Sequence, residues 1–112
     1  MNVALLSGKL TEDAELFLTR SGRPKITMRI GVPRDASMPP KDGNPRGMDF
    51  FTVVCYGERF TSLLEELKKG VRIFVEGFNQ SRDIPQGRVV TEIVARTITI
   101  VEWRSKSEQE AL

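Results

Sequence analysis

The chain has 112 residues, 39% of them apolar and 29% charged, which describes one small domain: too short for two independent cores and too hydrophobic for a disordered tail. It carries a formal charge of +2, no histidine and a single cysteine, Cys55, which excludes imidazole base catalysis, every His-containing metal site, internal disulfides and a four-thiolate zinc site. No basic leader precedes a long apolar segment and no run approaches a membrane span, so a cytoplasmic protein without membrane contact is expected.

Hydropathy alternates with period two along most of the chain, which predicts strands. The first is Val3 to Leu10; past the acidic turn Thr11-Glu12-Asp13, Glu15 to Thr19 continues or bends it. Ser21-Gly22-Arg23-Pro24 reads as a turn, because Gly accepts positive φ and Pro presets its own. Beyond it Ile26, Met28, Ile30 and Val32 fall on one side and Lys25, Thr27 and Arg29 on the other, a half-buried strand with a basic outer face. From Pro33 to Gly47 the prolines and glycines leave little that could pair in a sheet, and the segment reads as a long mobile loop whose basic residues could close over a ligand.

Met48 to Gly57 reads as a strand with Phe50, Thr52, Val54 and Tyr56 on one side and Phe51, Val53 and Cys55 on the other. Both sides are apolar or aromatic, so one of them meets another subunit or accepts something flat such as a base. Cys55 itself reads as a small buried hydrophobe. Glu58 to Lys69 predicts the one helix, with Phe60, Leu63, Leu64 and Leu67 as its core stripe and Gly70 at its end. A strand from Val71 to Phe78 comes next, with Val71, Ile73 and Val75 opposite Arg72, Phe74, Glu76 and Phe78, then a turn region from Asn79 to Gly87. The last strand, Arg88 to about Glu102, is rich in Val, Ile and Thr and long enough to bend and serve two parts of a closed sheet. Trp103 reads as a packing residue, and the remaining stretch to Leu112 as a short polar tail.

Three strands, a helix and two strands in that order fit an all-β protein with one helix, the five-stranded Greek-key barrel called the OB-fold. Such barrels bind oligonucleotides, oligosaccharides or proteins, so the side chains must carry the function. Between Arg20 and Arg46 seven basic residues stand against two acidic ones, a local charge of +5 that leaves −3 on the rest of the chain. Holding a single strand without reading its sequence takes cations for the phosphates and rings for the bases. The candidate rings are Phe50, Tyr56, Phe74 and Phe78, and the candidate cations are Lys25, Arg29, Arg34, Arg72, Arg82 and Arg88. A place in the core or in a subunit contact is the competing reading for each ring. Glu65-Glu66 diverge on the expected helix, Glu12-Asp13-Glu15 lack further ligands, and no Gly-rich loop precedes a Lys-Ser/Thr pair. Neither catalysis, a metal nor a cofactor is expected.

The run Asn2 to Leu16, with Gly8-Lys9-Leu10 and then Asp13-Ala14-Glu15, resembles the first strand of bacterial single-stranded DNA-binding proteins. Their pattern is an apolar strand, Gly-Asn-Leu and Asp-Pro-Glu. Further matches occur in family order: Ser21-Gly22, Asp49 to Gly57, Leu67-Lys68-Lys69-Gly70, Val75-Glu76-Gly77 and Val90 to Ala95, so the resemblance covers Asn2 to Glu102. It implies an OB-fold that assembles as a homotetramer, wraps single-stranded DNA in replication, recombination and repair on the cytoplasmic nucleoid, and needs no cofactor. By position, it makes Phe50 a base-stacking ring and Tyr56 another.

Two stacking positions of the family depart here, since there is no aromatic near Arg34-Asp35 and an isoleucine stands near Ile84. Phosphate contacts are therefore expected to carry more of the affinity, which should fall with salt at a slope of about −0.7 per phosphate neutralised. Members of the family carry a linker and an acidic tip that recruits replication and repair proteins, whereas this chain closes with Ser107-Glu108-Gln109-Glu110-Ala111-Leu112. A chain without that tip also resembles primosomal replication protein N, a dimeric replication-restart factor, which is the alternative reading. The domain is expected to span 1–103 with its loop at 33–47, and a tail at 104–112.

Overall fold

A strand with one apolar side must pair along its edges and cover that side, and the strands here do both by closing on one another. A computed structural model describes residues 1–35, 37–39 and 47–102. The described strands are β1 (Ala4–Leu10), β2 (Glu15–Leu18), β3 (Pro24–Pro33), β4 (Met48–Tyr56), β5 (Arg72–Ile84) and β6 (Arg88–Glu102). A 3-10 helix, Glu58–Leu63, lies between β4 and β5.

The sheet runs β1-β5-β6-β4-β3-β2 and returns from β3 to β1 through Lys9 opposite Gly31 and Leu10 opposite Ile30. Five strands thus form a closed ring, with β2 added outside it on β3. Every pairing is antiparallel except β4 with β6, which run parallel at Val53–Ile93 and Val54–Val94. This is the five-membered closed sheet that the order of elements implied.

Inside the ring lie Leu10, Ile26, Met28, Ile30, Val53, Cys55, Ile73, Val75, Ile93 and Ala95, nearly all in the inward phase of the alternation. Each large side chain among them stabilises the fold by roughly 1.5–3 kcal/mol through burial. Cys55 is fully enclosed, and burial pushes its thiol up to about 12 against the opposing pull of the Arg59 guanidinium. It is a small, unreactive core residue.

Two elements differ from their sequence-based expectation. The segment expected as a helix over Glu58 to Lys69 is helical only to Leu63, as a 3-10 helix, and continues in turns. Its apolar stripe still plugs the ring, with Phe60 and Leu67 buried. The backbone beyond it is claimed by tertiary hydrogen bonds: Ala14 N–H donates to the Leu67 carbonyl, Lys69 N–H to Asp13 Oδ1 and Gly70 N–H to the Leu10 carbonyl. A continuous α-helix would turn the Lys69 N–H to the Glu65 carbonyl instead.

The second difference is the turn region expected from Asn79 to Gly87. β5 runs on to Ile84 in unbroken register with β6, from Asn79–Ile93 to Ile84–Arg88, and only Pro85–Gly87 turns. The polar composition that suggested a turn belongs instead to a two-stranded arm, because β1 stops pairing with β5 at Gly77. Asn2 prolongs that edge with its side chain, donating from Nδ2 to the Asn79 carbonyl and accepting from the Asn79 N–H at Oδ1.

Where the arm leaves the ring, the β5–β6 register slips by one residue, from Glu76–Thr97 to Gly77–Ala95, with Arg96 as the extra residue. A Cβ on Gly77 would stand 1.9 Å from the Val94 carbonyl oxygen, so glycine is required for this approach. A bulge sharpens the local twist and re-aims side chains. The loop expected over 33–47 falls mostly outside the described residues, as do Trp103 and the tail.

Candidate nucleic-acid interface

Residues opposite one another in an antiparallel pair point to the same side of the sheet, so the register identifies which side chains share the outer face. One row crosses five strands: Glu15, Thr27, Val54, Val94 and Phe78. On one side of it lie Phe17, Lys25 and Tyr56; on the other Arg29 with Thr52, then Gly31 with Phe50. Val54 and Val94 are buried even though they face outward, so the surrounding rings and long cationic side chains stand around an apolar floor.

The rings of this face carry cations. The Arg29 guanidinium lies 4.5 Å from the Phe50 ring centre, Arg23 lies 5.4 Å and the Lys25 ammonium 5.8 Å from that of Tyr56, and Arg96 lies 5.0 Å from that of Phe78. Each pair contributes about 0.5–1 kcal/mol where it is exposed and holds charge beside a flat π surface. Phe50 lies along β3 because position 31 has no side chain: a Cβ there would stand 3.4 Å from the ring. It remains 44% exposed.

Depressions border this row of rings among the described residues, one of them lined by Glu12, Asp13 and Glu15 with Phe17, Thr27 and Arg29. A groove of about 540 Å³ is bounded by Phe17, Leu18 and Arg20 of the β2 corner and by Arg82 of the arm, over Lys25, Thr27, Thr52 and Glu92. Glu92 is the one buried charged residue among those described, 4% exposed. It accepts a hydrogen bond from Gln80 Nε2 at 3.2 Å and faces Arg82 Nε at 3.6 Å, and these partners offset the cost of enclosing its charge. Glu92, itself at the base of the arm, thereby draws Gln80 and Arg82 together over its carboxylate. On the other side, a pocket of about 330 Å³ opens between Tyr56 and Phe78, with Arg23, Arg59, Arg96 and Phe60 around it.

Among the residues singled out from sequence, Lys25, Arg29, Phe50, Tyr56, Phe78 and Arg82 come together on this face. Arg88 stands opposite Ile84 at the far end of the arm. Arg34 is directed to the neck of the long loop: its Nη1 meets Asp49 Oδ1 at 3.0 Å, and its side chain is 13% exposed. Arg72 and Phe74 sit on the part of β5 that pairs with β1, opposite Lys9 and Ser7. Near the loop, Asp35 Oδ1 accepts the Ser37 hydroxyl and backbone N–H, which hold its carboxyl below the usual range.

Sequence reasoning missed Phe17, Arg23, Arg59, Arg96 and Glu92. Phe17 had a signal, because Glu15 and Phe17 alternate with Leu16 and Leu18 and so share one side of a strand. Arg59 and Arg96 had none: one comes just after the strand end at Tyr56 and the other is a bulge residue, and only the fold sets them beside each other, Arg59 Nη2 donating to the Arg96 carbonyl at 2.6 Å. No group of three or more Asp, Glu or Cys residues fit to hold a metal occurs among the described residues. No helix of theirs is long and apolar enough to cross a membrane.

A face of rings overlaid by cations, with Glu12, Asp13 and Glu15 gathered at one depression beside Arg29 and Thr52, suits a flat, anionic, extended ligand that follows the rings and cations. Comparison with known proteins points the same way. Residues 1–101 match the single-strand binding protein family. A single-stranded DNA-binding protein of Clostridium tetani is 36% identical over 111 residues, covering 95% of this chain and 74% of that protein. One of Clostridium acetobutylicum is 32% identical, covering 98% and 84%. One of Streptococcus pneumoniae is 36% identical, covering 96% and 70%.

Proposed function

The chain belongs to the single-strand binding protein family, and from that premise we propose that its ring-and-cation face binds single-stranded DNA without reading sequence. The observation that carries the proposal is the register of β3 with β4. It sets Phe50 beside Arg29 and Tyr56 beside Lys25 on one open side of the sheet, two stacking surfaces each with its own cation. Bases would stack on these rings for about 1–3 kcal/mol each, and Lys25 and Arg29 would take phosphates, with Arg82 contributing less because it already faces Glu92. Protection and organisation of single strands during replication, recombination and repair, on the cytoplasmic nucleoid and without catalysis or a cofactor, is the role this implies. The binding domain would span 1–103.

The outer side of the β1, β5 and β6 region supports self-association. Val3, Leu5 and Phe74 are exposed there, Leu5 by 59%. An apolar surface of this kind marks a contact between proteins. The assembly we propose is a homotetramer, with a dimer as the alternative.

A titration with fluorescent oligo-dT at several salt concentrations, with light scattering for mass, tests both statements. Tight binding that weakens by about 0.7 log units per phosphate for each tenfold rise in salt is expected. Equal affinity for duplex and single strand at low salt would overturn the reading. Weak dT binding by a dimer would favour the replication-restart role.

A further inference from the structure

The pocket between Tyr56 and Phe78 differs in composition from the rest of the face. Arg23, Arg59 and Arg96 all line it, and each lies over a ring, Arg59 over Phe60 at 4.3 Å and the other two over Tyr56 and Phe78. No carboxylate lines the same cavity. None of the three guanidiniums takes part in an ion pair among the described residues. Like charges gathered without a counter-charge repel, and an anion seated among them relieves that repulsion.

The fold builds this cluster from three separate segments. Arg23 ends the turn before β3, where its N–H donates to Thr19 Oγ1 and its carbonyl accepts from the Thr19 N–H. Arg59 comes from the 3-10 helix and is fixed by its bond to the Arg96 carbonyl. Arg96 is the bulge residue opposite the close approach at Gly77. A bulge that turns an arginine onto an aromatic ring beside a cavity is the kind of irregularity that re-aims a side chain for binding.

We infer that this pocket is a single-nucleotide subsite that anchors the strand, one phosphodiester held by Arg23, Arg59 and Arg96 and the adjoining base packed against Tyr56 and Phe78. The inference rests on the single-strand reading above and names a subsite within it. Guanidinium forks match phosphate oxygens in pairs, which a lysine ammonium does not. Rings and guanidinium planes are both surfaces on which an unstacked base lies flat. A volume of about 330 Å³ falls in the range of small-molecule sites.

The test is titration of the intact protein with labelled oligo-dT across salt concentrations, comparing wild type with Arg23→Ala/Arg96→Ala, Arg23→Lys/Arg96→Lys and Phe78→Leu, each checked for folding by circular dichroism. The alanine pair should weaken binding at low salt by at least tenfold and make the log–log salt slope shallower by about 0.7, the loss of one phosphate contact. The lysine pair should recover the slope but remain several-fold weaker, because the fork is lost. Phe78→Leu should weaken binding by about 5- to 150-fold at unchanged slope. An alanine pair with wild-type slope and affinity overturns the subsite and leaves the single-strand reading standing; failure of the wild type itself to bind dT overturns both. If the alanine pair does not fold, wild-type affinity in both the lysine pair and Phe78→Leu overturns the subsite equally.

Discussion

Phe74 and Phe78 have the same side chain and point to the same side of one strand, yet they belong to different surfaces. Phe78 stands opposite Val94 with the Arg96 guanidinium over its ring, at the rim of a pocket lined by arginines. Phe74 stands between Ser7 and Thr99, on a side where Leu5 is also exposed. Between the two lie Gly77 and the register slip at Arg96, where β5 leaves β1 and continues with β6 alone. An aromatic residue in outward phase is therefore not by itself a base platform. Its cross-strand neighbours decide whether it meets a polyanion or another protein.

The strongest way to break the division is to fill its hinge. Gly77→Ala puts a Cβ on the Val94 carbonyl, so the two strands must part. A loss of about 3 kcal/mol is expected, at the upper end of the usual range for overpacking. In a thermal melt this is a drop of about 10 °C or more in Tm for a domain of this size. A melt like that of the wild type would show that the strands part without penalty.

Substitutions on either side of the hinge should separate cleanly. Phe50→Ala and Tyr56→Ala should each weaken oligo-dT binding by about 1–3 kcal/mol, with the mass of the assembly unchanged. Phe74→Ala should shift the light-scattering mass toward smaller species while the surviving assembly keeps its affinity. If Phe74→Ala weakens dT binding as much as Phe50→Ala at constant mass, the two-surface division is wrong.

The two sides of β4 offer a smaller effect that depends on pH. Cys55 points inward beside outward-facing Tyr56, and its thiol titrates at about 12 rather than the ordinary 9.0. Below pH 9 the thiol is protonated in both folded and unfolded chains. Between about 9 and 12 only the unfolded thiol ionises, so stability falls as pH rises, by up to about 1.4 kcal/mol per pH unit. Urea unfolding at pH 8 and above pH 10 should show wild type losing stability relative to Cys55→Ala over this window. Native protein should also resist thiol alkylation at pH 8.

The smallest effect distinguishes two arginines at the loop end of β3. Arg29→Ala should make the salt slope shallower by about 0.7, the loss of one phosphate contact. Arg34→Ala should change it less, because Arg34 already meets Asp49. Equal slopes for the two variants would return Arg34 to the set of phosphate-binding cations.

Much of this architecture was legible in the residues. The alternation at Ile26, Met28 and Ile30 named the inward phase of β3, that at Val53 and Cys55 named one side of β4, and every one of these residues is buried. The same rule grouped Phe50 with Tyr56 on one side of β4, but with apolar residues on both sides it did not tell which side faces out. The helix was misread because the stripe from Phe60 to Leu67 reports only which side is buried. The hydrogen bonds from Ala14, Lys69 and Gly70 that cut the helix short come from chain far away in sequence. The arm was misread because both sides of a two-stranded ribbon are wet, so Asn79 to Asp83 carry no apolar alternation to mark them as strand.

Local rules alone account for most of the strands, the inward phase of β3, the apolar plug before β5, the inert cysteine and, by resemblance, the family. Which rings share a face, which cations are already neutralised and where the uncompensated arginines collect depend on how distant strands pair. The physical reason is that hydrophobic phase is a property of neighbours along the chain. Cation–ring contacts such as Arg23 with Tyr56, and the pocket that joins Arg59 to Arg96, are set by strand register and one bulge, which couple residues far apart in sequence.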